Sequence, residues 1–218
     1  FLLGDGIFET LLVNKGIPIF FYEHMDRLRE SAQNMRIPFS YSDKEIANVI
    51  LKLANCHDNN KEVTSTRITL TRGVGNRGLL PPSRIETDST VIITVSSNSQ
   101  VPQKSIGLIY SSITCDEGSL SAGIKTLAYT DNILAKMEAK DQGAHDAIIL
   151  NTQGKIVSAT ASNIFVISED REILTPSSDS GILQGVIRQL IFDICLENEL
   201  SIEEKEILPE ELVGKDLF

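Results

Sequence analysis

The sequence predicts an α+β chain of two lobes, and three observations carry that prediction. Runs rich in β-branched residues with strand periodicity alternate with stripes of helical periodicity in both halves. A polar, turn-rich stretch, Ser96-Ser97-Asn98-Ser99-Gln100-Val101-Pro102-Gln103, lies between them as the best linker candidate. At 218 residues the chain is long enough for one large domain or two modest ones. The expected division is a small domain over 1–98, a linker over 99–105 and a larger domain over 106–218.

In the first lobe, Phe8-Glu9-Thr10-Leu11-Leu12-Val13 reads as a strand, Asn14-Lys15-Gly16 as a turn and Ile17-Pro18-Ile19-Phe20-Phe21 as a returning strand. From Glu23 to Met35, the residues Met25, Leu28, Ala32 and Met35 fall on one helical face. Ser42-Asp43-Lys44-Glu45 is a capping-box start for a second helix, with Ile46, Val49, Ile50 and Leu53 as its stripe. Two strand-like runs follow, over 66–71 and 89–95, joined by a Gly- and Pro-rich stretch.

In the second lobe, 106–112 reads as a strand and 131–142 as a helix. Short strand-like runs follow around 147–150, 155–157, 163–167 and 173–174. Gly181-Ile182-Leu183-Gln184-Gly185 then opens a helix whose expected inward stripe is Ile187, Leu190, Ile191, Ile194 and Cys195.

Charge narrows the partners. Lys+Arg 20 against Asp+Glu 30 leaves a formal net charge of −10. Neutralising phosphates along a nucleic acid requires a basic face, and an anionic membrane surface selects basic segments too. Neither partner is expected. No apolar run approaches the ~18 residues of a membrane span, and Phe1-Leu2-Leu3-Gly4-Asp5-Gly6 lacks the basic region of a signal peptide. Cys56, Cys115 and Cys195 are odd in number and far apart, which reads as reduced thiols in a cytoplasmic protein. His24, His57 and His145 show no ligand spacing, so no metal is expected. The abrupt apolar ends suggest missing sequence on both sides, and a larger domain truncated at its carboxyl end.

Four local features bear on chemistry, and each alone also suits a plain structural role. Gly185-Val186-Ile187-Arg188 opens a helix, where backbone N–H groups and the dipole favour an anion, but it also suits an ordinary loop-to-helix junction. Arg27, in His24-Met25-Asp26-Arg27-Leu28, offers a planar fork for phosphate, or simply pairs with Glu23 or Glu30. Arg72-Gly73-Val74-Gly75-Asn76-Arg77-Gly78 is a locally positive loop suited to a carboxylate-bearing small molecule, or a plain connection. Lys125 is flanked by small and apolar residues. There it would lose hydration and serve as a nucleophile or base, or snorkel from a strand end.

In order along the chain these features resemble one family. Gly4-Asp5-Gly6-Ile7-Phe8-Glu9-Thr10, Glu23-His24-x-x-Arg27-Leu28 and Arg72-Gly73-x-Gly75-x-Arg77-Gly78 are similar to the small domain of class IV aminotransferases, the fold-type IV pyridoxal-phosphate enzymes. Lys125-Thr126-Leu127, Ala161-Ser162-Asn163-Ile164-Phe165, Leu174-Thr175-Pro176 and Gly181-Ile182-Leu183-x-Gly185-x-x-Arg188 resemble the large domain. The resemblance implies a smaller N-terminal α/β sandwich and a larger C-terminal pseudo-barrel, with pyridoxal 5'-phosphate at the interface of the lobes.

It further implies a role for Lys125 as the lysine of the internal aldimine and as the proton shuttle, reaching in from the larger lobe. Arg27 and the backbone of Gly185, Val186 and Ile187 are implied as phosphate contacts, and Asn163 belongs to the same implied cofactor set. Many relatives have Thr where Ile187 stands. Ser158 occupies the place of the usual Glu that pairs with the pyridine nitrogen, which implies a weaker electron sink. Ala128 stands where many relatives have Asn, without an interpretation. Phe8, Arg72 and Arg77 are the implied substrate contacts.

Within the family, Arg-Gly-x-Gly-x-Arg-Gly with Lys-Thr-Leu and Gly-Val-Ile-Arg-Gln is most similar to 4-amino-4-deoxychorismate lyase, which releases pyruvate and para-aminobenzoate for folate synthesis. D-amino-acid aminotransferases usually have Tyr where Phe8 stands, and branched-chain aminotransferases have an extra residue after the lysine. An aminotransferase, or a cofactor-binding protein of weakened catalysis, are the alternatives. Membership implies a small-molecule amino substrate and a homodimer.

Overall fold

A computed structural model of the chain describes residues 3–56, 63–75, 78–81, 88–97 and 105–218. Among them, four α-helices and three sheets form an α+β fold in two compact units. One unit comprises Phe1–Pro102 together with Lys125–Ala128, and the other comprises Gln103–Ile124 with Tyr129–Phe218. Residues 99–104 of the expected linker lie outside the described residues, and Ser96 and Ser97 continue a strand instead.

The first unit is built on a four-stranded antiparallel sheet of order β2-β1-β3-β4. Its strands are β1 (Gly6–Asn14), β2 (Ile17–Pro18), β3 (Val63–Thr71) and β4 (Thr90–Ser97). Helix α1 (Phe21–Asn34) packs on β1, and α2 (Asp43–Cys56) on β4. The returning strand is shorter than the sequence pattern predicts. It ends at Pro18, and Phe20 adopts a left-handed conformation, φ 51°, that swings the chain into α1 at Phe21.

The capping box at α2 forms as expected: Ser42 N–H donates to Glu45 Oε2 at 2.8 Å, and Glu45 N–H returns to Ser42 Oγ at 3.3 Å. Ile46 and Ile50 are its buried residues, whereas Val49 of the expected stripe faces solvent. Ile7, Met25, Leu28, Ile50, Ile68 and Leu70 are the largest apolar side chains withdrawn from water in this unit.

The second unit holds two sheets. One has order β5-β6-β7, with β5 (Leu108–Cys115) parallel to β6 (Asp146–Asn151) and β6 antiparallel to β7 (Ile156–Ala159). Helix α3 (Thr130–Asp141) is the connection between the two parallel strands and packs on both. Its small Ala135 and Ala139 allow close approach to Ala147 and Ile149.

The other sheet has order β10-β9-β8-β11, from β8 (Val166–Ile167), β9 (Ile173–Pro176), β10 (Ile202–Lys205) and β11 (Asp216–Leu217). Helix α4 (Val186–Glu197) is the crossover between β9 and β10, which run parallel. A core of Ile148, Ile156, Ile164, Val166, Ile207 and Leu212 joins the strands of this unit. The expected stripe of α4 holds in part, with Cys195 buried and Leu190 and Ile191 half-buried. Ile187 and Ile194 are exposed, while Arg188 and Cys195 are buried. Arg188 is buried because its guanidinium bonds to Pro176 O of β9 and Glu204 of β10. No helix of the described residues is long and apolar enough to cross a membrane.

Candidate active site

In the first unit, the segment Lys125–Ala128 lies alongside β1. Phe8 N–H donates to Lys125 O, and Leu127 N–H donates to Gly6 O, both at 2.9 Å. These bonds flank an antiparallel bridge between Ile7 and Thr126. The close approach needs Gly6, since a Cβ there would meet Leu127 Cδ1 at 2.7 Å and Leu70 O at 2.8 Å. The backbone pairing places Lys125 Nζ 4.6 Å from the centroid of the Phe8 ring. Although the chain reaches Lys125 after the linker, its segment packs with the first unit.

A second cation stands at the same ring. Arg67 Cζ lies 3.5 Å from the Phe8 centroid, and its Nε donates to Thr69 Oγ1 at 3.3 Å. The register explains the placement: β3 sets Thr69 opposite Phe8 and Arg67 opposite Thr10, so Arg67 reaches the ring diagonally. Sequence reasoning did not select Arg67. A long cation inside the β-branched run Thr66–Thr71 was the available signal.

Arg27 is engaged within its own unit. Its Nε and Nη2 donate to the two carboxylate oxygens of Glu9, each at 2.7 Å, and His24 Nδ1 lies 2.8 Å from Glu9 Oε2. His24 and Arg27 are three residues apart on α1, so both face β1. Glu9 is only 1% exposed. Burial alone pushes its carboxyl upward, but the hydrogen bonds from His24 and Arg27 outweigh that and hold it below the usual carboxylate range. Sequence reasoning missed this carboxylate as well. Its signal was an acid inside the apolar run Ile7-Phe8-Glu9-Thr10-Leu11.

Arg72 makes four hydrogen bonds to three residues. It grips Asp5 with two bonds, at 2.7 and 2.9 Å, and donates to Arg36 O at 2.7 Å and Met35 O at 2.9 Å. It thereby satisfies carbonyls just beyond the end of α1 and ties them to the end of β3. Arg77, the other arginine of that loop, lies outside the described residues.

In the second unit, Ser158 is half-buried on β7, opposite Ile149 of β6. Asn163 follows that strand, and its Nδ2 donates to Leu183 O at 2.9 Å. Gly185 is the residue before α4, with extended backbone, and no side chain among the described residues caps the helix there. The first helical bond is Gln189 N–H to Gly185 O at 3.0 Å. The N–H groups of Val186 and Ile187 precede that ladder, and the helix dipole gives them a positive field suited to an anion. The exposed Ile187 side chain is a hydrocarbon, so it offers no hydroxyl there.

The structure therefore brings Phe8 and Lys125 together in one unit, and Asn163 and Gly185 in the other. Among the described residues, no group of three or more His, Cys, Asp or Glu is placed to hold a metal ion.

Comparison with known proteins places these observations in context. Residues 6–218 match the profile of Amino-transferase class IV. The D-alanine aminotransferase of Bacillus licheniformis is 29% identical over 220 residues, covering 98% of this chain and 73% of that protein. The aminodeoxychorismate lyase of Bacillus subtilis is 28% identical over 213 residues, covering 95% of this chain and 72% of that protein. Among solved structures, a Legionella pneumophila protein provisionally named 4-amino-4-deoxychorismate lyase superposes with a TM-score of 0.92. It is 27% identical and covers 100% of this chain and 79% of its own.

Proposed function

The chain belongs to the class IV aminotransferase family, enzymes dependent on pyridoxal 5'-phosphate, and from that premise we propose that it acts as 4-amino-4-deoxychorismate lyase. The residues present fit the cofactor. Taken unit by unit, Lys125 of the first offers an amine of the kind that condenses with an aldehyde, and the α4 start of the second offers backbone donors of the kind that hold a phosphate. Position 185 admits only glycine beside Asn163, because a Cβ there would lie 2.2 Å from Asn163 Oδ1. Bound pyridoxal phosphate supplies an electron sink for the electron pair left when a substrate C–H bond breaks.

The single observation that carries the lyase reading is the pair of cations at Phe8. Lys125 Nζ and Arg67 Cζ lie 4.6 and 3.5 Å from one ring centroid, against an aromatic face without a hydroxyl. A second cation beside the reactive amine suits a substrate with carboxylates near its amino group, and aminodeoxychorismate carries two. In this reading Arg67 orients a carboxylate, and Phe8 provides an apolar wall for the substrate ring. Lys125 takes the proton from the ring carbon bearing the amine. Enolpyruvate then leaves with the ether oxygen and tautomerises to pyruvate, while the ring becomes aromatic.

The aminotransferase alternative draws support from the 29% identity to a D-alanine aminotransferase. The two readings separate in one assay. Aminodeoxychorismate given to the holoenzyme without keto acid should yield pyruvate and para-aminobenzoate in equal amounts. Failure on that substrate, with amine transfer from D- or L-amino acids that requires 2-oxoglutarate, would establish the aminotransferase instead.

A further inference from the structure

The glycine before α4 is set by its neighbour rather than by its own backbone. Gly185 has φ −70° and ψ 140°, an extended conformation that any residue adopts. The space beside it is already filled, because a Cβ would lie 2.2 Å from Asn163 Oδ1. That oxygen has a fixed direction. The same amide donates through Nδ2 to Leu183 O at 2.9 Å, which turns its carbonyl toward Gly185. Arg188 holds the intervening residue from the helix side, with Nη1 donating to Gln184 Oε1 at 2.8 Å. The path 183–185 is thus tethered at Leu183 and Gln184, and Asn163 fills the flank of Gly185.

We propose that Asn163 is a positioning residue for phosphate recognition. It holds Leu183–Gly185 so that the first N–H groups of α4 stay uncovered and correctly aimed, and it excludes every side chain from position 185. The inference rests on the cofactor assigned above and adds the residue that shapes its phosphate site. A backbone anion site has no side chain to adjust, so its affinity depends on how rigidly the entering loop is held.

The experiment titrates apoprotein with pyridoxal 5'-phosphate and, separately, with pyridoxal, which lacks the phosphate. Wild type should prefer the phosphate ester. Asn163→Ala should weaken binding of the ester about tenfold, the scale of one charge-assisted hydrogen bond, with pyridoxal affinity unchanged. Gly185→Ala should cost at least as much in wild type, yet little more in the Asn163→Ala background, where the obstructing oxygen is gone.

An equal loss for both ligands, or strictly additive losses, would overturn the positioning role. A general loss of folding moves both affinities together, so the ratio between ligands separates it from the proposed effect. If Asn163→Ala does not fold, Asn163→Asp serves, because it keeps the size but cannot donate to Leu183 O. It should lower the ester-to-pyridoxal preference further, and an unchanged preference would refute the proposal. A wild type that fails to discriminate the two ligands would contradict the cofactor reading itself, and the proposal with it.

Discussion

Arg27 in the first unit is held by Glu9 through two 2.7 Å bonds, whereas α4 in the second unit begins at Gly185 with no side-chain cap. Both are devices that suit a phosphate, but they differ in what the fold does with their charge. The guanidinium is tied to a carboxylate withdrawn from water, so its direction is fixed and much of its charge is compensated. The helix start carries only partial charges on backbone N–H groups, which no carboxylate of its own unit caps. A side-chain cation can be neutralised within its own domain, while a backbone cradle is kept available by keeping side chains away. Arg27 therefore brings geometry, and the α4 start brings uncompensated donor capacity.

The largest expected effect breaks the side-chain chemistry of the first unit outright. Lys125→Ala should lower turnover by about 10³-fold or more, with loss of the visible band of bound cofactor. Retained band and turnover would remove Lys125 from the chemistry. Next comes the carboxylate behind Arg27. Glu9→Ala should destabilise the protein by about 3 kcal/mol, since it removes the buried carboxylate that both Arg27 and His24 grip. Its pH dependence has a definite sign. The Glu9 carboxyl is depressed in the folded state, so its stabilisation is present above the ordinary carboxylate range and lost as pH falls through the depressed value. Denaturant curves of wild type and Glu9→Ala should differ most near neutrality and converge in acid.

Two smaller changes sharpen the contrast. Ser158→Glu adds a carboxylate to the second unit at the place where the family usually has one. If a neutral hydroxyl weakens the electron sink, turnover should rise about tenfold, equivalent to 1.4 kcal/mol in the barrier, and unchanged turnover would dismiss that account. Arg72→Lys retains the charge but loses the planar fork shared among Asp5, Met35 O and Arg36 O. It should cost about 1 kcal/mol of stability, read from the urea midpoint. A change in substrate affinity without a stability loss would instead assign Arg72 to the substrate.

Local signals made much of this fold legible. The capping box at Ser42 and the stripe of Met25, Leu28 and Ala32 depend on neighbours in sequence, and both formed. Features set by distant contacts were not legible. The left-handed Phe20 ended the returning strand early, and the partners of Arg188 brought that charged residue into the buried side of α4. β10 and β11 went unrecognised, being short and placed by β9 and β8 rather than by their own pattern.

The same distinction holds at the site. Lys125, Phe8 and the Gly185 helix start were singled out through the family resemblance of motifs in order along the chain, and the fold sets Lys125 beside Phe8. Glu9 and Arg67 were missed because strand pairing and the packing of α1 on β1 give them their roles. Asn163 was named from its motif, but its contact with the space beside Gly185 exists only in the folded chain.

Reductive trapping tests the central assignment most directly. Holoprotein treated with borohydride fixes the cofactor to whichever lysine carries it, and peptide mass mapping identifies that residue. The account predicts a phosphopyridoxyl group on Lys125, in the peptide that pairs with β1. Labelling confined to another lysine, or no stable label in the presence of excess cofactor, would contradict it.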